Sequence, residues 1–116
     1  MSNQDRIYYL TLDLKDDQNL IQLYEEHHKK IWPEITKGIK DSGVLNMQIY
    51  RVSTRLFMVM EVDEYFSFEK MEQMDKNNQK VQQWQNLMDQ FQQRLPYAQN
   101  GEKWVLLQKI FDLKEQ

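Results

Sequence analysis

Two apolar runs, "VLNMQIYRV" (residues 44–52) and "RLFMVMEVD" (residues 55–63), are separated only by Ser53 and Thr54. β-Branched, aromatic and methionine side chains in runs of this length, joined by so short a connection, predict a β-hairpin. The connection has no Gly or Asn, so its turn type does not follow from the residues. In the second run Leu56, Met58, Met60 and Val62 share one face, and Phe57 and Val59 lie on the other. A sheet built on this hairpin is apolar on both sides and needs a cover on each. Glu61 interrupts the apolar pattern near the strand's end. It is either a solvated strand-end carboxylate or one turned inward against a hydroxyl or a histidine.

The rest of the chain supplies elements to cover one of those faces. "RIYYLTLDL" (residues 6–14) alternates as a strand and runs into "KDDQN", where Asp16 or Asp17 can cap a helix. Leu20, Leu23, Tyr24 and Ile31 continue at helical spacing. Trp32-Pro33 breaks that helix, because the residue before proline avoids the helical region while proline suits the first turn of a new helix. A second short helix is expected from Pro33 to about Lys40, ending near Ser42-Gly43. "DEYFSFEKMEQM" reads as a helix, and Val81, Trp84, Met88, Phe91 and Leu95 predict one amphipathic helix over residues 77–95. Pro96 and "QNGE" end it, and "KWVLLQKIFDL" (residues 103–113) reads as a last strand. The glutamines between residues 73 and 99 are interrupted by apolar positions at helical spacing, so they describe solvated helix faces.

Four strands with helices confined to two crossovers form an α+β, ferredoxin-like sandwich, its helices on one face of an antiparallel sheet. The 116 residues suit a single domain, with an ordered core over about residues 6–113. The second apolar sheet face is then covered most simply by another copy of the chain, giving a homodimeric α+β barrel. A C-terminal strand exchanged between subunits is consistent with the length of the last run.

Fifteen Lys and Arg against eighteen Asp and Glu give a net charge of -3 with the signs interspersed, so no basic stripe points to nucleic acid. The absence of cysteine leaves no thiol nucleophile, disulfide or Cys-based metal site. The opening "MSNQDRIYYL" has no basic leader or apolar signal core, and no apolar run nears the roughly 20 residues of a membrane span. A cytoplasmic location is the expectation. The glycines at 38, 43 and 101 stand apart and form no phosphate loop. Adjacent histidines face different sides of a helix, and no acidic or histidine cluster has ligand spacing, so neither a metal nor a cofactor is expected.

His27 and His28 are the side chains whose ordinary pKa lies near neutrality, so acid-base work at neutral pH starts with them. With Leu20 at the centre of the apolar stripe, His27 falls near that centre and His28 on its flank. Tyr24 and His28, four residues apart, can address one pocket. The break at Trp32-Pro33 places His28 near a helix C-terminus, where a protonated imidazole is favoured. Trp84, on the apolar stripe of the late helix, is either core or a platform for the apolar face of a sugar.

"Y-x-x-x-H-x-x-I-W-P-E" (Tyr24, His28, Ile31, Trp32, Pro33, Glu34), followed in order by "SGVLNMQIY", "LFMVMEV" and "VQQWQNLM", resembles the L-rhamnose mutarotase family from about Arg6 to Leu113. The resemblance implies a dimeric α+β barrel that interconverts the α and β anomers of a monosaccharide, a 6-deoxyhexose, without metal or organic cofactor. It implies His28 as proton donor, Tyr24 as a sugar-binding residue and Trp84 as the first of a pair of tryptophans at the sugar. Met47 stands where the family has a sugar-binding tyrosine, and Gln85 where it has the second tryptophan. Those two departures open the choice of sugar to L-fucose as well as L-rhamnose. The same architecture also serves small monooxygenases and non-enzymatic ligand-binding modules, and these are the rival readings.

Overall fold

Residues 6–116 are described by the structure, a computed structural model. The hairpin forms as read: β2 (Val44–Val52) and β3 (Arg55–Val62) pair antiparallel across Ser53-Thr54, with Val52 opposite Arg55 and Arg51 opposite Leu56. Ser53 takes a φ of +53, the left-handed conformation that a tight hairpin turn demands of a non-glycine residue here. β3 pairs on its other side with β1 (Ile7–Leu14), antiparallel, with Leu12 opposite Leu56. With β4 (Gln92–Gln93) the sheet order is β2-β3-β1-β4, the ferredoxin-like arrangement, and the helices lie on one face.

Local chemistry starts and stops the helices where the sequence says it should. Asp17 caps α1 (Gln18–Lys29), its carboxylate accepting from the Asn19 and Leu20 amides at 2.9 and 3.1 Å. Trp32 is extended, Pro33 opens α2 (Pro33–Asp41), and the Ile35 amide donates to the Trp32 carbonyl at 2.9 Å. Gly43 ends α2 with a φ of +103, and a Cβ there would sit 2.6 Å from an Asp63 carboxylate oxygen. Glycine is needed at this position for both its backbone and its lack of bulk. Ser67 and Asn78 cap α3 (Phe68–Lys76) and α4 (Gln79–Asp89) through their side chains.

Three expected boundaries move. The helix read over residues 77–95 ends at Asp89, because Phe91 turns back and its carbonyl accepts from the Lys15 amide at 2.8 Å. This draws Gln92–Gln93 (β4) against Asp13 and Leu14 of β1, so sheet pairing overrides the 3.6-residue periodicity that Phe91 and Leu95 continue. The helix read from residue 63 begins at Phe68, after its Ser67 cap. The last strand pairs only over Val105–Leu106 (β5), against Leu10 and Thr11. The Leu107 amide adds one bond to the Tyr9 carbonyl at 2.8 Å. Beyond it the chain joins no strand until a 3-10 turn at Leu113–Glu115, and Ile110 is 92% exposed. β4 and β5 share the one free edge of β1, so neither can be long.

Leu10, Leu12, Leu14, Leu56, Met58, Met60 and Val62 project toward the helices and are buried, Leu12 and Leu56 to 0% and 1% exposure. Tyr24, Trp84, Met88 and Phe91 close over Leu14 and Leu56 from α1, α4 and the turn after it, while Leu10, Met58, Met60 and Val62 pack with Val44 in a second cluster. The opposite sheet face carries no helix, and Tyr9, Tyr50, Val52 and Phe57 are exposed on it. Leu12→Ala should therefore lower unfolding free energy by about 2–5 kcal/mol, because the gap lies between the central strands and cannot collapse. Urea denaturation measures this, and a loss under about 1 kcal/mol would mean that the pair is not the anchor.

Candidate active site

The last two turns of α1 hold the residues singled out by spacing. Tyr24 is buried beneath the helix, and His28 lies one turn on, its ring 4.2 Å from the tyrosine ring. Trp84 of α4 packs edge-on against His28 at 5.6 Å, and Trp32 stacks edge-on against Trp84 at 5.1 Å. His27 also packs against this layer, 5.5 Å from Phe91 and 6.4 Å from Trp84. Both histidines are thus half-buried, although spacing sets only His27 near the centre of the apolar stripe, because Trp84 packs against both rings and Phe91 against His27.

His28 Nδ1 lies 2.8 Å from the Tyr24 carbonyl. A carbonyl only accepts, so Nδ1 carries the proton and Nε2 is the free position. Burial lowers the pKa of this imidazole, partly countered by the bond to the Tyr24 carbonyl, with a further small lowering from His27. The protonated resting form expected from the helix C-terminus is therefore overturned by desolvation. At neutral pH, His28 presents an unprotonated Nε2. Burial pushes the Tyr24 phenol up to about 12, while a hydrogen bond from the Gln92 side chain pulls the other way. Tyr24 stays protonated throughout the neutral range, available as a donor and not as a base.

Two adjoining clefts meet at His28 and Ile49, between α1 and β2. One, of about 440 Å³, is lined by Tyr24, Glu25, His28, Tyr50, Arg51 and Leu56 among others. The second, of about 410 Å³, is mostly apolar around Ile31, Ile39, Val44, Met47 and Ile49. Each is of a size that takes a small molecule. Met47 thus joins His28 at the cleft. Trp84 packs against His28 but is buried and is not on the cleft wall. Gln85 lies outside the lining, its carbonyl accepting from Lys103 Nζ at 3.4 Å.

Glu61 is not brought to the site. It pairs with Ile7 and Asn46 and lies an odd number of residues from the cleft-lining Leu56, hence on the helix-free face. Three residues escaped the sequence reading. Gln92 was read as a helix surface position, yet β4 places it beside Tyr24. Glu25 and Arg51 form an ion pair across the cleft mouth at 2.5 Å. The two-residue hairpin turn carried the signal for Arg51, since it sets Arg51 opposite Leu56 on the helix side. Among the described residues no group of three or more His, Cys, Asp or Glu is arranged to hold a metal ion, and no helix is long and apolar enough to cross a membrane.

An α+β sandwich that sets one imidazole at the junction of two clefts has the parts that acid-base chemistry on a small molecule requires. Comparison with known proteins makes the class specific. The family model for L-rhamnose mutarotase matches residues 8–113. The L-fucose mutarotase of Xanthomonas campestris is 36% identical over 115 residues, 97% of this chain and 91% of that protein. The crystal structure of L-rhamnose mutarotase from Formosa agariphila superposes with a TM-score of 0.67 at 25% identity, covering 92% of this chain and 97% of that one. A dimeric ferredoxin-like protein from an uncultured marine organism shares the fold, with a TM-score of 0.52 at 14% identity over 91% of this chain and 90% of that one. The chain belongs to the L-rhamnose mutarotase family, a family of sugar isomerases. These matches do not favour the monooxygenase or binding-module readings.

The lowered pKa of His28 has a consequence for stability. A group whose folded pKa is depressed stabilises the fold above its unfolded value, here about 6.5, and that stabilisation is lost as pH falls through the folded pKa. The urea midpoint should fall from pH 8 to pH 5, and His28→Gln should reduce the fall. An unchanged pH dependence in the variant would show that His28 is not held neutral.

Proposed function

We propose that the protein interconverts the α and β anomers of a 6-deoxyhexose, L-fucose first and L-rhamnose second, with His28 carrying both proton transfers. The observation that carries this is the free Nε2 of His28 at the junction of the two clefts, its other nitrogen fixed by the Tyr24 carbonyl. L-Fucose comes first because a 36% identical relative bears that activity in its name and because Met47 and Gln85 depart from the L-rhamnose pattern.

Ring opening needs the anomeric O–H proton removed, the bond from C1 to the ring oxygen broken, and a proton placed on that oxygen. Neutral Nε2 takes the anomeric proton and becomes imidazolium. The electron pair on the anomeric oxygen forms the aldehyde as the ring bond breaks, and the imidazolium gives its proton to the ring oxygen. Both oxygens are bonded to C1, so one nitrogen can serve them in turn. Rotation about the C1–C2 bond and reversal of the steps close the ring on the other face. The imidazole ends as it began. Tyr24, protonated, orients the sugar, Trp84 holds the His28 ring, and the apolar cleft around Met47 receives the 6-deoxy methyl. Such acid-base positioning supplies a roughly 10²- to 10⁴-fold gain, enough for a reaction that already proceeds unaided in water.

The protein acts as a homodimer whose two helix-free sheet faces pack together. Tyr9, Tyr50, Val52 and Phe57 are exposed on that face, and Ile110, Phe111 and Leu113 follow in the C-terminal segment. The dimeric state of a protein with this fold supports the reading.

Anomer exchange followed by NMR saturation transfer should accelerate with wild-type protein and lose about 10²- to 10⁴-fold in His28→Ala. His27→Ala should keep exchange within a few-fold and lose about 0.5–3 kcal/mol of stability instead. The reverse pattern would reassign the acid-base role to His27. The acid limb of kcat/KM should have its midpoint below 6.5. Light scattering at micromolar concentration should return twice the 14.3 kDa chain mass; the monomer mass would refute the sheet-face dimer.

A further inference from the structure

Hydrogen-bonding capacity around the cleft is unevenly committed. His28 Nδ1 is engaged by the Tyr24 carbonyl, and Lys29 is paired with Glu26 at 2.8 Å. Arg51 differs. Its Nε donates to Glu25 at 2.5 Å and one terminal nitrogen donates to the Ser53 carbonyl at 2.8 Å. A guanidinium carries five N–H donors, so three remain, on a side chain about one-third exposed that lines the cleft beside His28. Glu25 keeps one carboxylate oxygen for a further donor.

We infer that Arg51, braced by Glu25 and the Ser53 carbonyl, is a specificity-determining residue that binds hydroxyl groups of the sugar whose anomeric carbon faces His28. The inference rests on the mutarotase reading and deepens it. Two clamps, one on α1 and one in the hairpin turn, hold the guanidinium plane, so little side-chain freedom is lost when a sugar binds. The cleft with Arg51, which carries the Arg51–Glu25 pair and is the less apolar of the two, and the more apolar cleft with Met47 both open at His28. A 6-deoxyhexose has the same division, with hydroxyls on one flank and a methyl group on the other. Where Met47 takes the place of a phenol, Arg51 provides a polar contact from the same strand, four residues on. Glu25 accepts a hydroxyl proton at the same place, so the pair offers both a donor and an acceptor to a vicinal diol.

The test compares wild type, Arg51→Met and Arg51→Lys, with circular dichroism as a check on folding. Each is measured for exchange and for sugar binding by saturation-transfer difference NMR with L-fucose, L-rhamnose and the 2-, 3- and 4-deoxy analogues of L-fucose. Arg51→Met should raise KM about ten- to hundredfold with kcat changed by under about threefold, and Arg51→Lys should fall between. The penalty should vanish for the analogue that lacks the bound hydroxyl, which a merely structural role could not produce. A KM within about twofold of wild type, or an equal penalty for every analogue, would overturn the assignment. Wild-type protein that binds but does not accelerate exchange would defeat the mutarotase reading alone. Weaker binding by Arg51→Met, cancelled by one deoxy analogue, would then still establish Arg51 as a hydroxyl-binding residue, and unchanged binding would refute it.

Discussion

Leu12 and Leu56 stand opposite one another in the β1–β3 ladder, and both are closed to solvent. Removing two such side chains from water stabilises the fold by roughly 1.5–3 kcal/mol each, provided that something covers them. Leu56 packs with Tyr24 of α1, Trp84 and Met88 of α4, and Phe91. The position of α1 over the sheet is thus tied to Leu56, and through the ladder to Leu12 opposite it. Leu56 has a second role, for its flank forms part of the cleft wall beside His28. Core and site share a boundary one residue thick.

That shared boundary explains the state of His28. A helix C-terminus favours a cation, by about 0.3–1 kcal/mol where it is exposed, while burial among Tyr24 and Trp84 opposes the charge. Burial wins, and the imidazole pKa is lowered. A neutral imidazole with Nδ1 tied to a carbonyl can begin a cycle by taking a proton and finish by returning it. An imidazolium locked by the helix end would be slow to do either. The Tyr24 phenol is pushed further from ionisation by the same burial, so the two groups that spacing brings together are separated in function by their pKa values.

Division of the cleft adds a second layer of organisation. In the proposed reaction proton transfer draws on α1 alone, whereas the residues expected to discriminate among sugars, Met47 and Arg51, lie on β2. β2 is an outer strand of the sheet with one neighbour, so its side chains can vary without disturbing the central leucine pair. A family that keeps one reaction and changes its sugar can do so along such a strand.

Much of this was legible in the residues. Alternation in the hairpin, the Asp17 cap, the Trp32-Pro33 break and the Gly43 stop are local signals, and each appears where the sequence placed it. Spacing likewise paired Tyr24 with His28, and the motif around them led to the family. The early end of α4, the shortness of β5 and the placing of Gln92 beside Tyr24 were not legible, because each follows from two segments sharing the one free edge of β1. Spacing leaves Glu61 open between a solvated strand end and an inward carboxylate, and the register sets it on the helix-free face. The sequence by itself determined the first three strands, the four helices in their order and the pair of side chains on one helix face, since those depend on neighbours within a few residues. Only the tertiary structure decided that His28 is neutral, that Trp84 backs it, and that Arg51 and Glu25 meet across the cleft. Charge state and cross-chain contact depend on what burial removes from water, which no stretch of sequence contains.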